Sequence, residues 1–103
     1  MDAVYAETTL AVNEDGFLAD PSRWTPAIGG AIAAELGLAM TPESWTAVNA
    51  ARAEFLAEGA SPGLRRLSKK TGMPIKEFYD LFPDGPAKKI ARVAGIPKPK
   101  SCL

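Results

Sequence analysis

The sequence predicts a mainly α-helical domain with a short N-terminal β-hairpin, a helix–turn–helix-like segment and a flexible C-terminal arm. Three observations carry this reading. Two helix-start signatures, Thr41-Pro42-Glu43-Ser44 and Ser61-Pro62, each precede a stretch in which apolar residues recur three and four positions apart. Glycines close the helical stretches at Gly59, Gly72 and Gly95. A strand-and-turn pattern lies near the N-terminus, and the chain ends on Gly95-Ile96-Pro97-Lys98-Pro99-Lys100-Ser101-Cys102-Leu103, which no helix can continue.

Taken in order, residues 7–18 read as the hairpin. Thr8, Thr9, Leu10 and Val12 favour strand, Asn13-Glu14-Asp15-Gly16 supplies a turn, and Phe17-Leu18 resumes. A lone hairpin is marginal in water, so it must pack on the rest of the chain. Asp20 or Ser22 is expected to cap a first helix whose body runs from Ala27 to Leu38, with Gly29-Gly30 weakening its first turn. The second helix starts at Thr41 as N-cap with Pro42 at the first helical position. Trp45, Val48, Phe55 and Leu56 are expected to form its buried stripe. A third helix follows Ser61-Pro62 with Leu64 and Leu67 facing inward. A fourth follows Met73-Pro74-Ile75 and carries Phe78, Tyr79, Leu81 and Phe82, and a last one spans Ala87 to Ala94. Trp24 and Trp45 are expected to anchor the core. The domain is therefore placed at residues 1–94 and the arm at 95–103.

Composition excludes several function classes. The 103 residues suit one small domain. Twelve basic and twelve acidic residues balance to zero net charge, which argues against a protein that coats nucleic acid. The charges are nonetheless segregated. Acidic residues dominate before residue 60 and basic ones after it, an asymmetry that points to an acidic or anionic partner for the C-terminal half. With no histidine and one cysteine, the usual zinc and iron ligand sets are missing, and no metal or other cofactor is expected. No apolar run approaches the length of about eighteen residues that a membrane span needs. The N-terminus lacks the basic and apolar regions of a signal peptide. A cytoplasmic location, where thiols stay reduced, is expected.

The one cysteine, Cys102, is the main chemical feature. A thiolate is the nucleophilic form of cysteine, and neighbouring cations enrich it. Lys98 and Lys100 lie within four residues of Cys102. Pro97 and Pro99 favour extended, semi-rigid geometry that suits an arm able to reach another protein. Arg65, at the start of the third helix, is a candidate for supporting the thiolate or a persulfide, or for docking. Without histidine, a Cys–His hydrolase dyad is excluded within the chain, which leaves thiol exchange or sulfur carriage. Oxidation has no internal partner to form a disulfide with, so a disulfide-linked homodimer is expected under oxidants.

Residues 64–79 have the outline of a helix–turn–helix. A recognition helix presents Arg, Lys, Asn or Gln to base edges. Here only Lys76 lies near the start of the second helix, while Glu77 and Asp80 would oppose phosphates. A plain helical hairpin is the better reading, and DNA binding is not expected.

Several phrases then converge. Leu81-Phe82-Pro83-Asp84-Gly85-Pro86-Ala87-Lys88-Lys89, Ala94-Gly95-Ile96-Pro97-Lys98-Pro99 and the penultimate Cys102 resemble the DsrC/TusE family of sulfur carriers. Asp15-Gly16-Phe17-Leu18, Trp24, Thr41-Pro42-Glu43-Ser44-Trp45 and Ser61-Pro62-Gly63-Leu64-Arg65 extend the resemblance upstream, in order, over almost the whole chain. The resemblance implies a helical fold with an N-terminal hairpin, and a flexible arm whose Cys102 accepts sulfur as a persulfide and relays it. It implies sulfur-relay proteins as partners, together with sulfite reductase, a heterodisulfide-reductase-like complex or a tRNA-thiolating enzyme. Members that work with sulfite reductase carry a second cysteine eleven residues before the penultimate one. Here that position is Ala91, so an internal disulfide is impossible, which favours a single-cysteine carrier of the TusE type or a related paralogue. The competing reading is a regulator of the same fold that binds DNA or a protein through the helix–turn–helix-like segment.

Overall fold

A computed structural model describes residues 1–100. Cys102 lies outside the described residues. The elements run β1 (Asp2–Tyr5), β2 (Thr8–Ala11), a 3-10 turn (Pro21–Arg23), α1 (Pro26–Glu35), α2 (Pro42–Glu58), α3 (Leu64–Thr71), α4 (Ile75–Leu81) and α5 (Pro86–Ala94). The mainly helical class with an N-terminal hairpin is as the sequence predicts.

The hairpin itself sits earlier than expected. β1 and β2 pair antiparallel with Ala3 opposite Leu10 and Tyr5 opposite Thr8. Ala6 and Glu7 make the two-residue turn at φ 51° and 62°. Such a tight turn needs left-handed backbone at both central residues, and its usual Asn-Gly signal is absent here, which is why β1 is not visible in the sequence. The turn at Asn13–Gly16 also forms. The Asn13 side chain accepts from the backbone N–H of Asp15 and Phe17, at 2.9 and 3.0 Å. Beyond it, only a single bridge between Val12 and Leu18 continues the pairing.

Asp20 and Thr25 divide the capping work that the sequence assigned to Asp20 or Ser22. Asp20 caps the 3-10 turn through Ser22, whose hydroxyl and backbone N–H hold the carboxyl below its ordinary pKa. Thr25 caps α1 by accepting from Ile28 N–H, with Pro26 in its first turn. Thr41 caps α2 as expected. Ser44 completes a reciprocal capping box, its hydroxyl accepting from Thr41 N–H at 3.1 Å. α3 departs from expectation. It starts at Leu64 with Gly63 at the N-cap and no side-chain cap, so Ser61 is left free for another task.

The buried stripe of α2 is rotated from the expected one. Leu56 is 70% exposed, and Trp45 and Phe55 are only half-buried. The buried line is Ser44, Ala47, Val48, Ala51 and Glu54. These are mostly small residues on the helix that packs against α5, which buries Ala87, Ile90, Ala91, Val93 and Ala94, while Glu54 pairs with α3. Small side chains on both helices let the backbones approach closely, and the bulky residues flank the seam rather than fill it. Phe17, Phe78, Phe82, Ile32, Leu67 and Ile90 fill the core around this pair.

The hairpin is tied to α1 and α5 by one polar cluster. Tyr5 donates its hydroxyl proton to Glu35 Oε2 at 2.8 Å, and Arg92 Nη2 pairs with the same oxygen at 2.8 Å. Burial, and then the Glu35 carboxylate, push the Tyr5 phenol above its ordinary pKa of 10.0. The folded state therefore holds the Tyr5 proton more tightly than the unfolded chain. This stabilising contribution is complete below about pH 10 and is lost as pH rises through the folded-state pKa. Between about pH 10 and 12, the melting temperature of the native chain is expected to fall more steeply than that of Tyr5→Phe. Parallel profiles would show that Tyr5 is not coupled to folding.

Candidate functional site

The site is built where the last helix hands over to the arm. Gly95 ends α5 in the left-handed region at φ 67°, and its N–H bonds back to the helix. Ile96 then turns inward, with its N–H donated to Ala91 O at 3.1 Å and its side chain 1% exposed. Pro99 is also buried, whereas Pro97, Lys98 and Lys100 are exposed. The arm up to Lys100 thus lies along the body of the protein. Ser61, released from capping, donates its hydroxyl to Pro97 O and fastens the arm to the α2–α3 loop.

Beside the arm lies a depression of about 410 Å³, walled by Phe55, Ala60, Ser61 and Gly63 on one side and by Pro97, Lys98 and Lys100 on the other. Of the candidates drawn from sequence, Lys98 and Lys100 are therefore brought together on one rim. Arg65 is exposed on the first turn of α3, two residues beyond Gly63. It makes no hydrogen bond or ion pair among the described residues. Cys102, two residues past Lys100, lies outside the described residues.

Three further residues shape this region. The Trp24 indole donates from Nε1 to Val93 O at 2.7 Å. Arg52 Nη1 donates to Ala94 O at 2.8 Å and to Pro21 O at 3.4 Å, while its guanidinium lies 4.3 Å from the centre of the Trp24 ring. Trp24 is therefore less a plain core anchor than a wedge against the end of α5. α1 admits it only because Gly29 has no Cβ, which would come within 2.8 Å of the indole. Burial lowers the Arg52 pKa from its ordinary value. The third residue, Glu54, is 6% exposed and pairs with Arg66 at 2.6 Å and with Lys70 at 3.6 Å, tying α3 to α2 behind the depression. Sequence held one signal for Arg52: it sits four residues after Val48, on the helix face read as apolar.

On α4 the one side chain of a base-reading type is Lys76. Lys76 and Asp80 are exposed and Glu77 is half-buried, while Phe78 points into the core. Among the described residues, no helix is long and apolar enough to cross a membrane.

Comparison with known proteins agrees with this architecture. A family model described as DsrC like protein matches residues 4–103. Sulfurtransferase TusE of Salmonella paratyphi A is 32% identical, over 97% of this chain and 98% of that protein. Its counterpart from Escherichia coli K12 is 31% identical with the same coverage. The NMR structure of Allochromatium vinosum DsrC superposes with a TM-score of 0.85 at 32% identity, covering all of both chains. The crystal structure of the oxidized gamma-subunit of the dissimilatory sulfite reductase (DsrC) from Archaeoglobus fulgidus does so with a TM-score of 0.87 at 31% identity, again over all of both chains. With the family model matching nearly end to end and these relatives sharing both sequence and backbone, the chain belongs to the DsrC-like family that includes TusE.

Proposed function

We propose that this chain is a cytoplasmic sulfur carrier that binds one sulfur atom on Cys102 and passes it to a partner protein. The observation that carries the reading is the arm. It leaves the core at Ile96, is fastened at Pro97, and presents Lys98 and Lys100 just ahead of the sole cysteine. Lysines two and four positions away in the sequence favour the thiolate over the thiol, and the thiolate is the attacking species. Arg65 and the two lysines form the docking cations for a partner with an acidic rim.

The transfer is thiol exchange. Cys102 Sγ, as thiolate, attacks the outer sulfur of a donor persulfide. A bond forms between Sγ and that sulfur, the donor's own S–S bond breaks, and the donor leaves as a thiolate. No net oxidation occurs, and the proton on the outer sulfur travels with it. The sequence contains one cysteine, and position 91 is a buried alanine. No internal thiol can therefore displace the sulfur, and it leaves only to a second protein's thiol or to a reductant. This favours a relay role of the TusE type, with a persulfide-bearing donor upstream and a tRNA-thiolating enzyme, sulfite reductase or heterodisulfide-reductase-like complex downstream. Under oxidants, two chains join through Cys102, visible as a reductant-sensitive dimer on electrophoresis.

The test is intact-protein mass spectrometry after incubation with glutathione persulfide. The expected product is the chain plus one sulfur atom, returned to the starting mass by dithiothreitol. A chain that never gains sulfur overturns the proposal. The regulatory alternative finds no support in α4 or in the relatives above.

A further inference from the structure

The end of α5 is held more firmly than helix packing requires. Helix C-termini leave their last carbonyls without intrahelical partners, and water ordinarily satisfies them. Here the carbonyls of Val93 and Ala94, the two residues before Gly95, are instead taken by the Trp24 indole and the Arg52 guanidinium, at 2.7 and 2.8 Å. The same Arg52 nitrogen reaches Pro21 O, so the 3-10 turn, α2 and α5 meet at one cation. A cation at a helix C-terminus is also favoured by the aligned peptide dipoles. The guanidinium lies over the Trp24 ring, and the ring edge packs on Gly95, leaving no room there for a Cβ. The contacts to Val93, Ala94 and Gly95 all fall at the point where the arm begins.

We propose that Arg52 is a positioning residue for the arm: acting through Trp24 and the last two carbonyls of α5, it fixes the direction in which residues 96–100 leave the core. The inference rests on the sulfur-carrier reading, because a fixed direction is useful only if the arm has a thiol to present. An arm launched in one direction meets a partner with less ordering left to pay for in entropy. Beyond Gly95, Ile96 and Pro99 are buried and Ser61 donates to Pro97 O, so the path that Gly95 opens runs along the body of the protein. Among the described residues, Arg52 makes no hydrogen bond to the arm beyond Gly95; its partners are Pro21 O and Ala94 O.

The experiment is 15N relaxation on the full chain, read at the backbone N–H of Ile96, Lys98 and Lys100. In the native protein their order parameters are expected near those of α5, about 0.85. Arg52→Gln, which removes the cation from the ring and weakens the grip on Ala94 O, is expected to drop Lys98 and Lys100 below about 0.6 while α2 and α5 keep their values. Trp24→Phe keeps an aromatic surface but loses the Val93 bond, and is expected to lie between the two. If Arg52→Gln does not fold, Arg52→Lys takes its place, since a compact ammonium lacks the planar guanidinium that lies over the Trp24 ring while one of its nitrogens reaches Ala94 O and Pro21 O. The rate of Cys102 with Ellman's reagent, which needs access but no direction, is expected to stay within about two-fold of native in every folded variant.

Unchanged order parameters at Lys98 and Lys100 in a folded variant with a lowered melting temperature would make Arg52 a core prop and overturn the inference. A ten-fold change in the Ellman rate would overturn it too, since Arg52 would then be acting on the thiolate. Native Lys98 and Lys100 already below about 0.6 would also end it, yet would leave a sulfur adduct on Cys102 standing. Absence of that adduct ends the carrier reading whatever the arm's order.

Discussion

Replacing Gly95 by alanine is expected to be the most destabilising small substitution in the chain. Two costs coincide there. Its φ of 67° lies in the left-handed region, where an L side chain costs about 1–2 kcal/mol. A Cβ built on it would also stand 2.4 Å from Trp24 Cδ1 and 2.8 Å from Cγ, a collision with a ring already pinned on its other side by Arg52. Overpacking of this kind costs about 1–3 kcal/mol. Together the terms lower the melting temperature by on the order of 10–20 °C in a domain of this size. Gly72 supplies the internal control. Its φ is 77°, but nothing lies within 4 Å of a Cβ there, so Gly72→Ala reports the backbone strain alone. Gly95→Ala is expected to melt well below Gly72→Ala. Adding Trp24→Ala to Gly95→Ala is expected to cost less than the two single changes summed, because the collision disappears. Equal melting temperatures for the two alanine variants would mean that Trp24 does not press on the root of the arm.

Cys102→Ser is the second large effect, and it falls on chemistry alone. A hydroxyl at position 102 cannot form a persulfide, so sulfur uptake is expected to vanish. The hydrophobic core is built from residues 5–96, so the serine variant is expected to melt within about 3 °C of native. Melting followed by circular dichroism checks the second half and intact mass the first. Uptake that persists in the serine variant would place the reactive sulfur elsewhere.

Local chemistry made most of the helices legible, and tertiary packing hid the rest. Thr41 with Pro42, and the glycines at 59, 72 and 95, act within a turn of their own positions, so the bounds of α2 and the ends of α3 and α5 could be read directly. β1 could not, because Ala6-Glu7 takes a backbone shape that neither residue advertises. The buried face of α2 differs from the expected one because Ser44, Ala47, Ala51 and Glu54 look less apolar than Trp45 and Leu56. What decides it is the approach of α5, forty residues on. Lys98 and Lys100 stand out in the sequence by their closeness to Cys102, and the fold sets both on the rim of one depression. Ser61 was missed as an arm contact because Ser-Pro has a strong local meaning as a helix start, and here Gly63 takes that role. Arg52, Trp24 and Val93 come together only in the fold, and no spacing rule connects positions 24, 52 and 93.

The sulfur is expected to reside on Cys102, and peptide mapping of the persulfidated chain locates it. The loaded protein is alkylated with iodoacetamide and cleaved with trypsin, which releases Ser101-Cys102-Leu103 after Lys100. This tripeptide is expected to carry one extra sulfur beneath the alkyl group, dithiothreitol before alkylation to remove it, and no other peptide to gain mass. A tripeptide alkylated at its plain thiol mass, from a sample whose intact mass had risen, would contradict it.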